Sequence, residues 1–264
     1  MMVPVFETVQ DAGIVTWRFV RTRGRLALAA AVIYGAGAAL ATWGLPLLGL
    51  QGWILPQLLS WAGTLPALLL LAPIWAVFNR FVVLGEKTRG YLPIDVRVRR
   101  VLLVLFLLSL ITALGGVPVS AALQFAPRVS RIASLGMLAA AGLGKLVVLW
   151  LTLRLAITPA LAAAGTRKNP FEPAFAYSAG AVWPILWVRL LVYLPLLALV
   201  GTLMVLGGTT LTGQAAVLSH PAAVVIVTAF TAVSDFVDTA AMALIARRLA
   251  VPRRAAQALD PKTA

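Results

Sequence analysis

Residues 97–119 read RVRRVLLVLFLLSLITALGGVPV: Arg97, Arg99 and Arg100 run directly into a stretch without a single charge. An α-helix needs about 20 consecutive apolar residues to cross the ~30 Å hydrocarbon core of a bilayer. A cationic border on one end of such a stretch marks its cytoplasmic side. This segment therefore reads as a membrane span entered from the cytoplasm, and it sets the frame for the rest of the chain.

Five more stretches of the same kind lie at about 26–46, 54–80, 132–158, 181–206 and 222–246. Of the 22 Lys and Arg residues, 17 fall in four segments that alternate with these six stretches. Only Arg128 and Arg131 lie in the intervening connections, and Lys145, Arg154 and Arg189 lie inside apolar stretches. This asymmetry predicts an all-α, multi-pass protein of six transmembrane helices with both termini in the cytoplasm. The chain reads as one integral membrane domain over 1–264, with a cytoplasmic N-terminus at 1–25, a bundle at 26–246 and a tail at 247–264.

Composition agrees. The 264 residues are 61% hydrophobic and 11% charged, with a mean hydropathy of +0.97, whereas soluble domains are about 25% charged. The net charge of +14 is not spread as a nucleic-acid site would be; it flanks apolar spans, where it orients helices and meets anionic head groups. The chain has no cysteine, which excludes disulfides, thiol catalysis and Cys-based metal sites. Glu7 and Asp11 near the start, with no cleavage signal, do not read as a signal peptide.

Residues 5–21 predict an amphipathic helix on the inner membrane face, with Phe6, Val9, Gly13, Trp17 and Val20 on one stripe and Glu7, Asp11, Arg18 and Arg21 on the other. Arg21, Arg23 and Arg25 mark the edge of the first span and, with Arg97, Arg99 and Arg100, are the expected lipid head-group contacts. Trp43 and Trp53 suit an outer aromatic belt. Pro56, Pro66 and Pro73 predict kinks in the second span. The connection from Asn79 to Arg100 is the most charged. In the fourth span Gly136, Ala140 and Gly144 form a small-residue ridge suited to close helix contact, and Pro159 and Gly165 are expected to close it. A short inner segment, 167–177, precedes the fifth span.

Counting about 1.5 Å per residue from the cytoplasmic ends puts Arg154, Arg189, Asp235 and Asp238 in one layer, ~13 to 18 Å deep. Asp235 and Asp238 are three apart and share a helix face. Two acids and two arginines at one depth predict a neutral buried cluster, because an isolated ion there costs at least ~2.5 to 3.5 kcal/mol. Such a cluster either lines a substrate or proton path or fixes the packing of three spans, with Thr152, Thr158, Tyr193 and Ser234 as the nearby polar groups.

Catalytic chemistry is hard to assemble from this sequence. His220 is the one histidine, at an expected outer helix start, so neither a His-based metal site nor a Ser–His pair can be built. Glu86 and Asp95 are surrounded by Lys and Arg and read as ion-paired. No phosphate loop or paired-carboxylate motif is present, and no catalytic residue, metal or cofactor is expected.

Three stretches together carry a resemblance: Asn79 to Glu86 leading into Asp95–Arg100, Arg154 to Leu161, and Glu172 to Ser178. They resemble six-helix bacterial inner-membrane proteins of unknown function, a loose group similar to the membrane domain that accompanies some glycerophosphodiester phosphodiesterases. In that pattern an Arg-x-x-x-x-Pro helix end precedes an acidic residue and an Ala-x-x-x-Ser helix start, matched here by Arg154, Pro159, Glu172, Ala174 and Ser178. The resemblance implies a fold and a bacterial inner-membrane address. It does not bring the phosphodiesterase activity, for which this sequence has no domain. The leading expectation is a non-enzymatic protein of envelope or lipid homeostasis that binds anionic lipid, another membrane protein or a second copy of itself. The alternative is a small proton-coupled transporter or channel in which Arg154 and Arg189 meet an anionic substrate and Asp235 or Asp238 couples protons.

Overall fold

The computed structural model describes residues 3–40, 55–86, 95–125, 130–165, 169–206 and 221–258. Among them the regular structure is helical: α1 (Val5–Thr22), α2 (Gly24–Ala39), α3 (Leu55–Leu84), α4 (Val96–Phe125), α5 (Arg131–Arg154), α6 (Thr158–Ala164), α7 (Phe171–Ser178), α8 (Val182–Leu206) and α9 (Pro221–Ala258). Five stretches are long and apolar enough to cross a membrane: Thr64–Leu84, Val96–Ala122, Arg131–Ala164, Val182–Leu203 and Pro221–Ala250. Gly24–Ala39 is apolar but shorter; the rest of that predicted span, 41–46, lies outside the described residues, as do Trp43, Trp53, Arg128 and His220.

The predicted boundaries shift where local chemistry outweighs charge. Asn79 and Arg80 belong to α3 rather than to a connection, and Arg80 pairs with Glu86 just beyond that helix. Arg97, Arg99 and Arg100 belong to α4, because Asp95 caps it: its Oδ1 accepts from the N–H of Arg97 at 2.9 Å and of Val98 at 2.8 Å. At the other end α9 runs on through Arg247 and Arg248 to Ala258, so the tail expected from residue 247 begins helically. Arginine marks the level of the head groups but is a good helix former and ends nothing.

Pro159 does not close the fourth span either; it opens α6. Lacking an N–H, proline is accommodated in a first helical turn. The chain turns over Leu155–Ile157, where Thr158 N donates to Leu155 O at 3.0 Å. The carbonyl of Arg154 that this leaves over accepts from Ser178 Oγ at 2.8 Å, tying α7 to the break. Gly165 at φ 69° then ends α6 in the left-handed conformation.

α3 is the axis of the bundle. All residues from Leu71 to Arg80 are buried, because α1, α2, α4, α6 and α9 pack around them. α5 is the opposite case, with Ile132, Leu135, Leu143, Leu146 and Val147 exposed, as a helix facing lipid requires. The small-residue ridge on α5 joins no close contact: Gly136 and Ala140 are exposed, and a Cβ on Gly136 or Gly144 would meet nothing within 4 Å. The tight approach is instead at Gly115 of α4, where a Cβ would fall 2.7 Å from Val148 Cγ2 of α5.

α1 is amphipathic in a more divided sense than its sequence predicts. Phe6 and Trp17 of the apolar stripe are exposed, while Thr8, Ala12, Thr16 and Phe19 are buried against the bundle, chiefly on α9 and α8. Phe19 is fully buried, edge-on to Phe78 with ring centroids 4.7 Å apart and near Phe236 at 6.0 Å. Arg248 reaches Thr8 Oγ1 at 2.7 Å and Asp11 at 3.0 Å. The helix therefore leans on the C-terminal half of α9 and shows its aromatic stripe outward.

Candidate functional site

α8 and α9 run in opposite directions side by side, and each carries two polar groups at helical spacing. Arg189 and Tyr193, four apart on α8, face Asp238 and Asp235, three apart on α9. Arg189 Nη2 donates to Asp238 Oδ2 at 3.2 Å. Tyr193 OH donates to Asp235 Oδ1 at 2.6 Å, and from α2 Tyr34 OH donates to Asp235 Oδ2 at 2.6 Å. One carboxylate thus meets a guanidinium and the other is clasped by two phenols.

These groups open onto a cavity of about 800 Å³ among α2, α3, α4, α6, α8 and α9, within the size range of small-molecule sites. On α9 its lining runs from Val224 to Met242, about 27 Å of helix. The walls are largely apolar, with Leu68, Leu71, Leu105, Leu108 and Val227 among them. The charged groups and the two phenols gather around Asp235, Asp238, Arg189, Tyr34 and Tyr193, while Thr64, Ser109, Thr228, Thr231 and Thr239 also contribute to the lining. Asp238 is 8% exposed, and its Oδ1 has no hydrogen-bond partner among the described residues; nor has the buried Nε of Arg189. Burying a polar atom unpartnered costs roughly 1 to 3 kcal/mol, a cost that the Arg189–Asp238 pair carries.

Three of the four predicted intramembrane charges come together here: Arg189, Asp235 and Asp238. The fourth does not. The Arg154 guanidinium lies over the ring of Phe175 at 4.1 Å and near that of Trp150 at 5.5 Å, both rings being partly exposed on the outer face of the bundle. Its side chain is accommodated by aromatic faces instead of a carboxylate. The four-charge neutral cluster is thereby corrected to two acids and one arginine, and the two-arginine anion site is not assembled.

Tyr34 was missed by charge counting because it carries none. It is the sole polar-tipped side chain between Leu26 and Ala39, which was the available signal. Among the groups expected near the cluster, Thr158 is fully buried with an unpartnered Oγ1, and Thr152 bonds to Leu149 O. Of the basic residues expected at head groups, Arg21, Arg25, Arg97 and Arg99 are exposed and Arg23 and Arg100 half-buried. No group of three or more His, Asp or Glu able to hold a metal occurs among the described residues. No family model, curated relative or solved structure matches the chain.

Proposed function

We propose that this protein is a membrane-embedded binding protein that holds one amphipathic, lipid-class molecule in the α2–α3–α4–α6–α8–α9 cavity and serves envelope or lipid homeostasis. The observation that carries this reading is the shape and polarity of the cavity. Its lining spans about 27 Å of α9, close to the ~30 Å of a bilayer core, and its charged groups are gathered in one cluster. An apolar chain lies along the leucine and valine walls, and a polar end meets Asp235, Asp238 and Arg189. The groups are arranged as acceptors and an ion pair rather than as a nucleophile with its base, which supports binding over catalysis. The positive-inside pattern and the resemblance of the Arg154–Leu161 and Glu172–Ser178 stretches support a bacterial inner-membrane address with both termini in the cytoplasm, where the exposed arginines meet anionic head groups.

Native mass spectrometry of the purified chain tests this. The wild type is expected to retain a bound lipid-class adduct. Ala38→Phe, which projects a ring from α2 into the cavity, is expected to lose the adduct while eluting as a folded species. An identical adduct profile in the two proteins would sink the reading.

A further inference from the structure

We infer that the occupant of this cavity is cationic and that it exchanges with a proton at Asp235. The inference rests on the cavity being a ligand site and adds the charge of the ligand. It starts from a balance of groups. Among the described residues, the charged or titratable side chains facing Asp235 come from three helices. α2 supplies Tyr34, α8 supplies Tyr193 and Arg189, and α9 itself supplies Asp238. α3, α4 and α6 contribute uncharged lining residues such as Trp75, Asn79, Ser109 and Ala160. α1 touches α9 there through Thr16 Oγ1, which donates to Phe236 O at 3.4 Å.

Two carboxyl groups therefore stand against one guanidinium, and that guanidinium is already committed to Asp238. A single positive charge completes the balance at Asp235. In a protein interior within a bilayer an uncompensated ion is expensive, so the site holds either a proton or a cation. When the cation enters, the proton leaves Asp235 for water; when the cation departs, a proton returns. The charge in the cavity is the same in both states. The surroundings fit a positive ligand in a second way, since Tyr34, Tyr193 and Trp75 line the cavity and aromatic faces attract organic cations. Among the described residues, an anionic ligand would find only the Arg189 guanidinium, which is already paired with Asp238, because Arg154 lies over Phe175 and Trp150.

Binding of radiolabelled tetraphenylphosphonium to the full chain in detergent, by equilibrium dialysis from pH 6 to pH 8, tests the inference. Tetraphenylborate, of the same shape and opposite charge, is the comparison. Tetraphenylphosphonium is expected to bind with an affinity that rises by up to about tenfold per pH unit while one proton is displaced. Asp235→Asn is expected to remove the pH dependence and to weaken binding by about tenfold or more. Tyr34→Phe keeps the carboxyl but deletes a donor to its charged form, so it is expected to favour the proton and weaken binding at a given pH. That variant keeps the test informative if Asp235→Asn does not fold. Equal binding of tetraphenylborate, an affinity flat across the pH range, or no binding of either ion would each overturn the inference. A lipid adduct that persists in mass spectrometry alongside such a result would leave the cavity a ligand site and remove only the charge assigned to its occupant.

Discussion

Asp235 and Asp238 occupy one helix face, yet they are held by opposite means. Asp238 is tied to a permanent cation and is 8% exposed. Removing its partner leaves a buried charge, which costs about 3 to 5 kcal/mol, whereas replacing both members by apolar groups is often tolerated. Arg189→Leu is therefore expected to lower the thermal unfolding midpoint of the purified protein markedly, and Arg189→Leu with Asp238→Leu to recover most of the loss. A single variant as stable as the wild type would show that the pair is not buried as described. At this scale the sequence exposes the acids and Arg189 by their charge within apolar stretches. It does not yield direction around the helix. Arg154 sits directly before the break at Leu155–Ile157, and its side chain lies over Phe175. Tyr34 escapes for the converse reason: it faces the cavity without any charge to announce it.

Helices in lipid gain little from hiding apolar surface against one another, so close backbone approach and shape carry their association. The meeting of α4 and α5 at Gly115 and Val148 shows where this matters. A Cβ on Gly115 would come within 2.8 Å of both Val148 methyls, so a longer side chain forces the helices apart. Gly115→Leu is expected to cost about 1 to 3 kcal/mol, read as a lower unfolding midpoint, and Val148→Ala in the same chain to restore part of it. No change in Gly115→Leu would mean that α4 and α5 can separate freely. Hydropathy located α3, α4, α8 and α9 to within a few residues in the apolar part of each. It could not rank the small-residue sites, since Gly136, Ala140 and Gly144 repeat regularly and yet face outward, while Gly115 belongs to no repeat. Caps also moved the ends, as Asp95 does for α4.

Across the whole molecule, the exposed cations Arg21, Arg25, Arg97 and Arg99 sit at the end of the bundle where α2 and α4 begin and α3 ends. Because the chain lacks cysteine, a single introduced thiol reports its own side of the membrane without background. Thr22→Cys is expected to react with a membrane-impermeant maleimide in inside-out vesicles, and Pro221→Cys in right-side-out vesicles; the reverse pattern would invert the assigned orientation. Class is the most legible property of this sequence because it depends on sums over many residues, and the direction of insertion is what the labelling tests. The cavity depends on which faces six helices turn toward one another, and no local pattern encodes that. One further matter follows from the way α1 leans on α9. Thr16 and Phe236 are 220 residues apart in the chain, so a ribosome adding about 5 to 20 residues per second makes the second roughly 10 to 45 s after the first. Throughout that interval the newborn N-terminal helix lacks the α9 part of its seat, and its outward Phe6 and Trp17 are what the membrane surface can hold meanwhile. The completion of its seat is then among the last events of biogenesis, and a nascent chain released before α9 is complete would hold the helix by α2, α3 and α8 alone.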